Sequence, residues 1–422
     1  MISRVTVHPV RGVLDRTVDV PGSKSITNRA LICAALASDE SVIENIAPGD
    51  DTGAMIAALS ALGAAISRNG GEVRVASPID LAGAQELTLN ANLAGTTARF
   101  MVAVAALRSG NTIVTGEAPL LRRPMRGLLE ALTSLGAGVE YLGEQWHLPV
   151  RVSSGTKKSG EVSLPADVSS QFVTALMLIA PCVEGGLTIR LTGRVISLPY
   201  IQMTVEVMRS FGSRVELDGD LITVPGGGYT GQSFEIEPDA SSASYPLAAA
   251  AIVGGRVRVR GITDSSSQGD AQFAAILGLM GCDVEYQSSG VTVSRDTNTV
   301  LQGIEIDMSD MSDLVPTLAV VAMFAKTPTR IGGVGFIREK ESDRLGDLAL
   351  EMRKVGGVVD VTDDGLVVSP SAIHFGVVDT HHDHRLAMAL ALVGLVCDGV
   401  QVNDPEVVSK SWPNYFEMIS EL

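Results

Sequence analysis

One pattern of apolar and polar positions recurs along the whole 422-residue chain. Ala-rich stretches with helical spacing begin near Thr27, Thr97, Ser169, Ser241, Asp313 and Asp383, an interval of about 70 residues each time. A turn and a short alternating segment follow each stretch and predict a strand, as at Ser41–Glu44, Asn111–Val114, Gly186–Ile189 and Gly255–Arg258. A second, more amphipathic helix also recurs. It is predicted to stop at Gly63, Gly136, Gly212, Gly281 and Gly356, because glycine accepts the left-handed conformation that closes a helix. A strand pair comes after each stop, for example Gly138–Tyr141 and then Trp146–Leu148, and the sixth amphipathic helix is Tyr415–Leu422. The unit reads β, α, β, α, β, β.

Six such units are too many for one hydrophobic core, so the pattern predicts an α/β protein of two domains with three βαβαββ units in each. The Gly-rich run Pro225–Gly228 sits just after the third unit and marks one expected hinge, at 226–232. Pro21-Gly22 marks a second, near residue 20.

Composition narrows the function. The chain is 45% apolar but only 4% aromatic, so Ala, Val, Leu, Ile and Met must fill the interior. A formal charge of −16 argues against a nucleic-acid or anionic-membrane partner, since both need a broad basic face. It leaves room for a small anionic ligand. The four cysteines, Cys33, Cys182, Cys282 and Cys397, are far apart and form no CxxC pair, so neither a zinc site nor a disulfide framework is expected. The first residues lack a signal-peptide pattern and the apolar runs are short of a membrane span, which points to a soluble, cytoplasmic protein.

The chemically distinctive residues fall where the Ala-rich helices start: Ser23-Lys24-Ser25 with Arg29, Gly95-Thr96 with Arg99, Ser169-Ser170-Gln171, Asp313, and His384-Arg385. A helix start offers unpaired N–H groups and the positive end of the macrodipole, so several of them suit several anionic groups. Any one alone is an ordinary cap. Gly22–Ser25 is not a phosphate-binding P-loop, because no glycine directly precedes Lys24. Arg122-Arg123-Pro124 with Arg126 gathers cations in an acidic protein, a pattern that serves either as solvated surface or as bidentate carboxylate and phosphate capture. Lys340-Glu341-Ser342-Asp343-Arg344 puts Lys340 and Arg344 on one face of a predicted helical turn with Glu341 beside them. Such a run is either a surface ion pair or a dianion site with an acid poised for proton transfer. His381-His382-Asp383-His384 lacks metal-ligand spacing, so no metal is expected.

Taken together, PGSKSITNRA at 21–30, AGTTAR at 94–99, RRP at 122–124, SSQ at 169–171, SLPY at 197–200, KESDR at 340–344, DHR at 383–385 and SKSWPNYF at 409–416 resemble the enolpyruvyl transferase family, in its shikimate-phosphate branch, over essentially the full chain. The resemblance implies an inside-out α/β barrel in each domain, domains of 21–232 and of 1–20 plus 233–422, and an active site in the cleft between them. It implies transfer of the enolpyruvyl group of phosphoenolpyruvate to the 5-hydroxyl of shikimate 3-phosphate, in aromatic amino acid biosynthesis, without cofactor or metal and by a monomer. Lys24, Ser25, Arg29, Ser169, Ser170, Gln171, Ser197, Tyr200, Asp313 and Lys340 would hold shikimate 3-phosphate. Lys24, Gly95, Arg123, Gln171, Arg344, Arg385 and Lys410 would hold phosphoenolpyruvate, with His384 in support. Asp313 would be the proton acceptor and Glu341 the donor, with Lys24 a third catalytic group. The resemblance also implies that the site is a glyphosate target, with Gly95 leaving space for phosphoenolpyruvate. Leu93, Phe100 and Phe336 depart from the family's usual Asn, Pro and Asn and imply missing substrate contacts. Two other readings stay open: the sister transferase acting on UDP-N-acetylglucosamine, and a non-catalytic anion-binding scaffold. Against the first, the loop Gly116–Leu121 has no cysteine. The scaffold gives no reason to keep Glu341 and Asp313 among the cations.

Overall fold

In the computed structural model, which describes residues 3–155 and 158–422, one set of strand pairings repeats through the chain. The third unit shows it in full. Strand Lys158–Pro165 runs into the buried helix Ser170–Ile179 and returns as Glu184–Thr192, parallel to the first strand. Helix Leu198–Ser210 then leads to the hairpin Glu216–Asp218 and Leu221–Val224, whose second strand pairs antiparallel with Glu184–Thr192. The hairpin therefore sits on one edge of the sheet and the incoming strand on the other. The same order holds for the sheet built on Thr112–Thr115 and for that built on Thr329–Gly332.

Three sheets draw one strand from a distant part of the chain. Ser233–Glu235 pairs parallel with Ser41–Glu44, so the end of the third unit completes the sheet of the first. Asp15–Val18 pairs parallel with Gly255–Arg260, and Arg4–Val7 pairs antiparallel with Val400–Asn403. The amino terminus is thus built into sheets of the last three units. The chain divides into two compact units, Gly22–Ile236 and Met1–Pro21 with Glu237–Leu422. The change of unit comes after Ile236, downstream of the Gly-rich run. Gly227 and Gly228 donate their N–H groups to the Pro181 carbonyl, and Tyr229 donates its hydroxyl to the Leu178 carbonyl, which fixes that run within the first unit.

Three helices fill the core of each unit. Lys24–Leu36, Gly95–Ala105 and Ser170–Ile179 touch one another in the first, and Val315–Ala322 touches both Ala240–Val253 and His384–Ala391 in the second. These helices are buried on almost every side, so they read as Ala-, Val- and Leu-rich without a polar stripe, and small side chains let their backbones approach closely. The amphipathic helices cover the outside and stop where the pattern predicted. Gly63, Gly136, Gly212, Gly281 and Gly356 all have positive φ, between 83° and 106°.

One predicted strand is absent. Trp146–Leu148 is a loop, and the second strand of that hairpin is Val150–Ser153. Pro149 has no N–H to give a ladder, Trp146 has φ of 68°, and Leu142 N–H closes the loop on the Pro149 carbonyl. The Trp146 ring packs edge-on to Tyr141 instead, at 5.3 Å between centroids.

Candidate active site

Each buried helix starts a few residues after the carboxyl end of the strand before it in the chain, where its free N–H groups suit an anion. In the unit Gly22–Ile236, Ser23 caps the first helix through the Ile26 N–H, and Lys24 follows at the first helical position. Lys24 Nζ pairs with Asp51 Oδ2 at 3.1 Å. Asp51 lies in the first turn of helix Asp50–Ala61, where an acidic residue passes for an ordinary dipole partner, and for that reason the sequence pattern does not single it out.

Arg29 is 2% exposed and among the described residues bonds only to neutral groups: Thr204 Oγ1 at 2.8 Å, the Ser25 carbonyl at 2.8 Å, the Tyr200 carbonyl at 3.2 Å and Thr174 Oγ1 at 3.3 Å. Burial pushes its guanidinium down to about 10. A buried cation held by dipoles alone is a site prepared for an anion. Thr174 and Thr204 escaped the sequence reading, although each is a polar residue on an otherwise apolar helical stretch, four places after Ser170 and Tyr200. Phe100, one of the three departures, lies 5.8 Å from the Arg29 guanidinium, and the Tyr200 ring lies 6.0 Å away.

Around the next two helix starts, Arg99 Nη1 donates to Gln171 Oε1 at 2.6 Å and its guanidinium lies 5.3 Å from the Phe172 ring. Ser169 caps its helix through the Gln171 N–H, with the buried Ser170 next to it. Ser197 takes the left-handed conformation before helix Leu198–Ser210, which carries Tyr200. Gly95 begins the helix Gly95–Ala105, and the Arg123 guanidinium lies against it. A Cβ placed on Gly95 would come within 2.9 Å of Arg123 Cζ and 3.2 Å of Arg99 Nη1. The space that glycine leaves is thus taken by an arginine.

The unit containing Glu237–Leu422 gathers the remaining residues around Asp313. This residue stands on the 3-10 turn Ser312–Leu314, ahead of helix Val315–Ala322. Its Oδ1 accepts from Lys340 Nζ at 2.7 Å and Arg344 Nη1 at 2.9 Å, and its Oδ2 accepts from Arg385 Nη2 at 2.8 Å. Burial alone would raise the Asp313 carboxyl, but Arg385, Lys340 and Arg344 together hold it well below the usual carboxylate range. Lys340 is lowered by burial, with Asp313 opposing.

Arg344, 1% exposed, is shared among three carboxylates. Its Nε donates to Asp383 Oδ2 at 2.7 Å, its Nη2 to Asp383 Oδ1 at 3.2 Å and to Glu341 Oε2 at 2.7 Å, and its Nη1 reaches Asp313. Burial opposes its charge, yet Asp383, Glu341 and Asp313 outweigh that and raise it. Asp383 also caps helix His384–Ala391 through the Arg385 N–H, so one carboxylate fixes Arg344 and starts the helix that carries Arg385. His384 is buried beside it, and Lys410 is buried at the end of the 3-10 segment Pro405–Lys410. The three cations around Asp313 are matched by the carboxylates of Asp313, Glu341 and Asp383.

The KESDR run departs from the predicted helical turn. Residues 340–345 form an irregular segment between the 3-10 turn Gly335–Glu339 and helix Gly346–Lys354. Asp343 Oδ1 accepts from the N–H groups of Leu345 and Gly346, which starts the helix only after the run has passed. Freed from helical spacing, Lys340, Glu341 and Arg344 all reach the same cluster. Phe336, a second departure, lies 5.8 Å from Lys340 Nζ.

Among the described residues no group of His, Cys, Asp and Glu is placed to hold a metal ion, and no helix is long and apolar enough to cross a membrane. His381 donates or accepts with Glu351 at 2.8 Å. The fold and its paired clusters of cations and carboxylates define a six-repeat α/β transferase architecture. The family model described as EPSP synthase (3-phosphoshikimate 1-carboxyvinyltransferase) matches residues 10–419, and the chain belongs to that family. Among curated relatives, the 3-phosphoshikimate 1-carboxyvinyltransferase of Serratia proteamaculans is 39% identical over 100% of this chain and 99% of its own. That of Methanoculleus marisnigri is 39% identical over 97% of each. In fold, the chain matches an EPSP synthase structure from Acinetobacter baumannii with a TM-score of 0.82 at 24% identity, covering 99% of this chain and 98% of the other.

Proposed function

We propose that this chain transfers the enolpyruvyl group of phosphoenolpyruvate to the 5-hydroxyl of shikimate 3-phosphate, releasing phosphate through a tetrahedral intermediate. The observation that carries the reading is the placing of two carboxyls, Asp313 and Glu341, on neighbouring nitrogens of the Arg344 guanidinium. Adding an alcohol across an enol ether needs one proton delivered to the methylene carbon and one removed from the attacking hydroxyl. Phosphate then leaves and a methyl proton is taken back. In this reading Glu341, in its protonated form when both substrates are bound, donates the proton and takes it back from the methyl group, while Asp313 accepts the hydroxyl proton and passes it to the leaving phosphate.

Asp313 is a weak base while three cations hold it. When the carboxylate and phosphate of phosphoenolpyruvate take over N–H groups of Arg344, Arg385 and Lys410, its carboxyl rises toward the range in which it can accept a proton. Substrate binding thereby switches the base on. Lys24, Gly95, Arg123 and Gln171 complete the phosphoenolpyruvate contacts in this reading. The phosphate of shikimate 3-phosphate is assigned to Ser169, Ser170 and Lys24, with Ser25, Arg29, Ser197, Tyr200, Asp313 and Lys340 fixing the ring. No step calls for a metal or redox group.

The UDP-N-acetylglucosamine reading gains no support from the thiols of the unit Gly22–Ile236. Burial raises Cys33 far above its ordinary value and pushes Cys182 up to about 12, so neither is a ready nucleophile or acid near neutrality. Glu341→Gln tests the assignment. Turnover should fall by about 100-fold or more, the scale of a lost general acid, while calorimetry finds shikimate 3-phosphate binding kept. Turnover within a few-fold of wild type would remove Glu341 from the acid role.

A further inference from the structure

A buried carboxylate outside the assigned set is linked to this cluster. Asp270 is 4% exposed and stands on the 3-10 segment Gly269–Gln272. Its Oδ2 accepts from the Ser241 hydroxyl, and Ser241 lies in the first turn of helix Ala240–Val253. Arg385 Nη2 approaches the Ser241 Oγ at 3.4 Å and donates to Asp313 Oδ2 at 2.8 Å. The order is Asp313, Arg385, Ser241, Asp270.

The arrangement is held firmly from behind. Gln268 accepts the Ala240 N–H at its Oε1 (3.1 Å) and donates from Nε2 to the Pro238 carbonyl (2.7 Å) and Glu237 Oε2 (3.0 Å). This ties the segment carrying Asp270 to the start of the helix carrying Ser241. Asp239 caps that helix through the Ser242 N–H at 2.6 Å. A carboxylate is an expensive group to bury if its only task is to close a turn. Burial first, and the Asp313 charge next, push Asp270 up to about 6, so the position works against its charge.

Hydroxyl chemistry supplies a reason to keep it. Serine has one proton to donate and two lone pairs. An ionised Asp270 only accepts, so it takes that proton and turns the Ser241 lone pairs outward, toward a donor. The donor present is Arg385 Nη2. We propose that Asp270 is a positioning residue that acts through Ser241 to hold the Arg385 guanidinium at the angle from which it serves Asp313 and the anionic end of phosphoenolpyruvate. The role rests on the enolpyruvyl-transfer reading given above.

The test measures KM for each substrate, kcat and Tm in Asp270→Ala, Ser241→Ala, the double variant and Asp270→Asn. Either Ala substitution should raise KM for phosphoenolpyruvate roughly fivefold to tenfold, the worth of one ordinary hydrogen bond. KM for shikimate 3-phosphate should stay within twofold. The double variant should match the single ones, because both remove the same link. Asp270→Asn keeps an acceptor oxygen and should recover most of the affinity. If Asp270→Ala does not fold, Ser241→Ala and Asp270→Asn carry the comparison. Additive losses, equal losses for both substrates, or unmoved constants in folded variants would overturn the role of Asp270 alone. Wild type without turnover on the two substrates would instead sink the reaction assignment, and this role with it.

Discussion

At Gly95 the guanidinium of Arg123 lies where a side chain would be. The resemblance implies that phosphoenolpyruvate uses this space, and a substitution at Gly95 tests that role. Gly95→Ala would push against the far end of a flexible side chain rather than against backbone, so the fold should lose little and Arg123 should move. We expect Tm to fall by no more than a few degrees and KM for phosphoenolpyruvate to rise several-fold, with glyphosate inhibition weakened further because packed sites tolerate added volume poorly. Unchanged inhibition would place the pocket elsewhere. Asp270 makes a prediction with a definite sign. Its carboxyl is raised from 3.8 to about 6 in the native protein, so the native state binds that proton more tightly than the unfolded chain does. The stability this confers is full below about pH 4 and is lost as pH rises through 6. Asp270→Asn should therefore raise Tm near pH 7.5, by the equivalent of at most about 3 kcal/mol, and the gain should vanish by pH 4. A gain that persists at pH 4 would refute the pH linkage. Phe100 and Phe336 were legible as departures but not as parts: only the structure sets their rings 5.8 Å from Arg29 and Lys340, since those contacts cross between segments far apart in sequence or follow an irregular turn.

At the scale of elements, the reading from sequence does best where the physics is local. Helix stops at Gly63, Gly136, Gly212, Gly281 and Gly356 depend on one backbone angle that glycine alone adopts cheaply, and all five appear. It fails where one proline or one carboxylate outweighs the pattern. Pro149 delays a strand to Val150–Ser153, and Asp343 delays a helix to Gly346–Lys354. Strand partners were less legible still, because Ser233–Glu235 and Asp15–Val18 pair with strands about 190 to 240 residues away by loop-independent side-chain fit. Two glycines separate conformational need from mere tolerance. Gly356, with φ of 94° and the Ala372 carbonyl in the path of a Cβ, should cost about 2 kcal/mol or more as Gly356→Ala. Gly53, inside helix Asp50–Ala61 with nothing within 4 Å, should gain roughly 0.5–1 kcal/mol as Gly53→Ala. Thermal unfolding of the two variants should move in opposite directions, and a shared direction would contradict the cap assignment.

For the whole molecule, the question is how a chain with a net charge of −16 handles two anionic substrates. Surface charges beyond roughly 8 Å are screened at physiological salt, so the local partners decide. Arg29 is held by neutral dipoles, whereas Lys340, Arg344 and Arg385 share Asp313, which an incoming anion can relieve of its cations. Charge neutralisation at the second cluster was not visible in the sequence, which showed the cations as neighbours of helix starts and not as neighbours of one carboxylate. The direct test of enolpyruvyl transfer is phosphate release from phosphoenolpyruvate, followed with shikimate 3-phosphate, with UDP-N-acetylglucosamine and with no acceptor. Release that requires shikimate 3-phosphate, with one enolpyruvyl product formed per phosphate, is the result this account predicts; no release, or release supported only by UDP-N-acetylglucosamine, would contradict it.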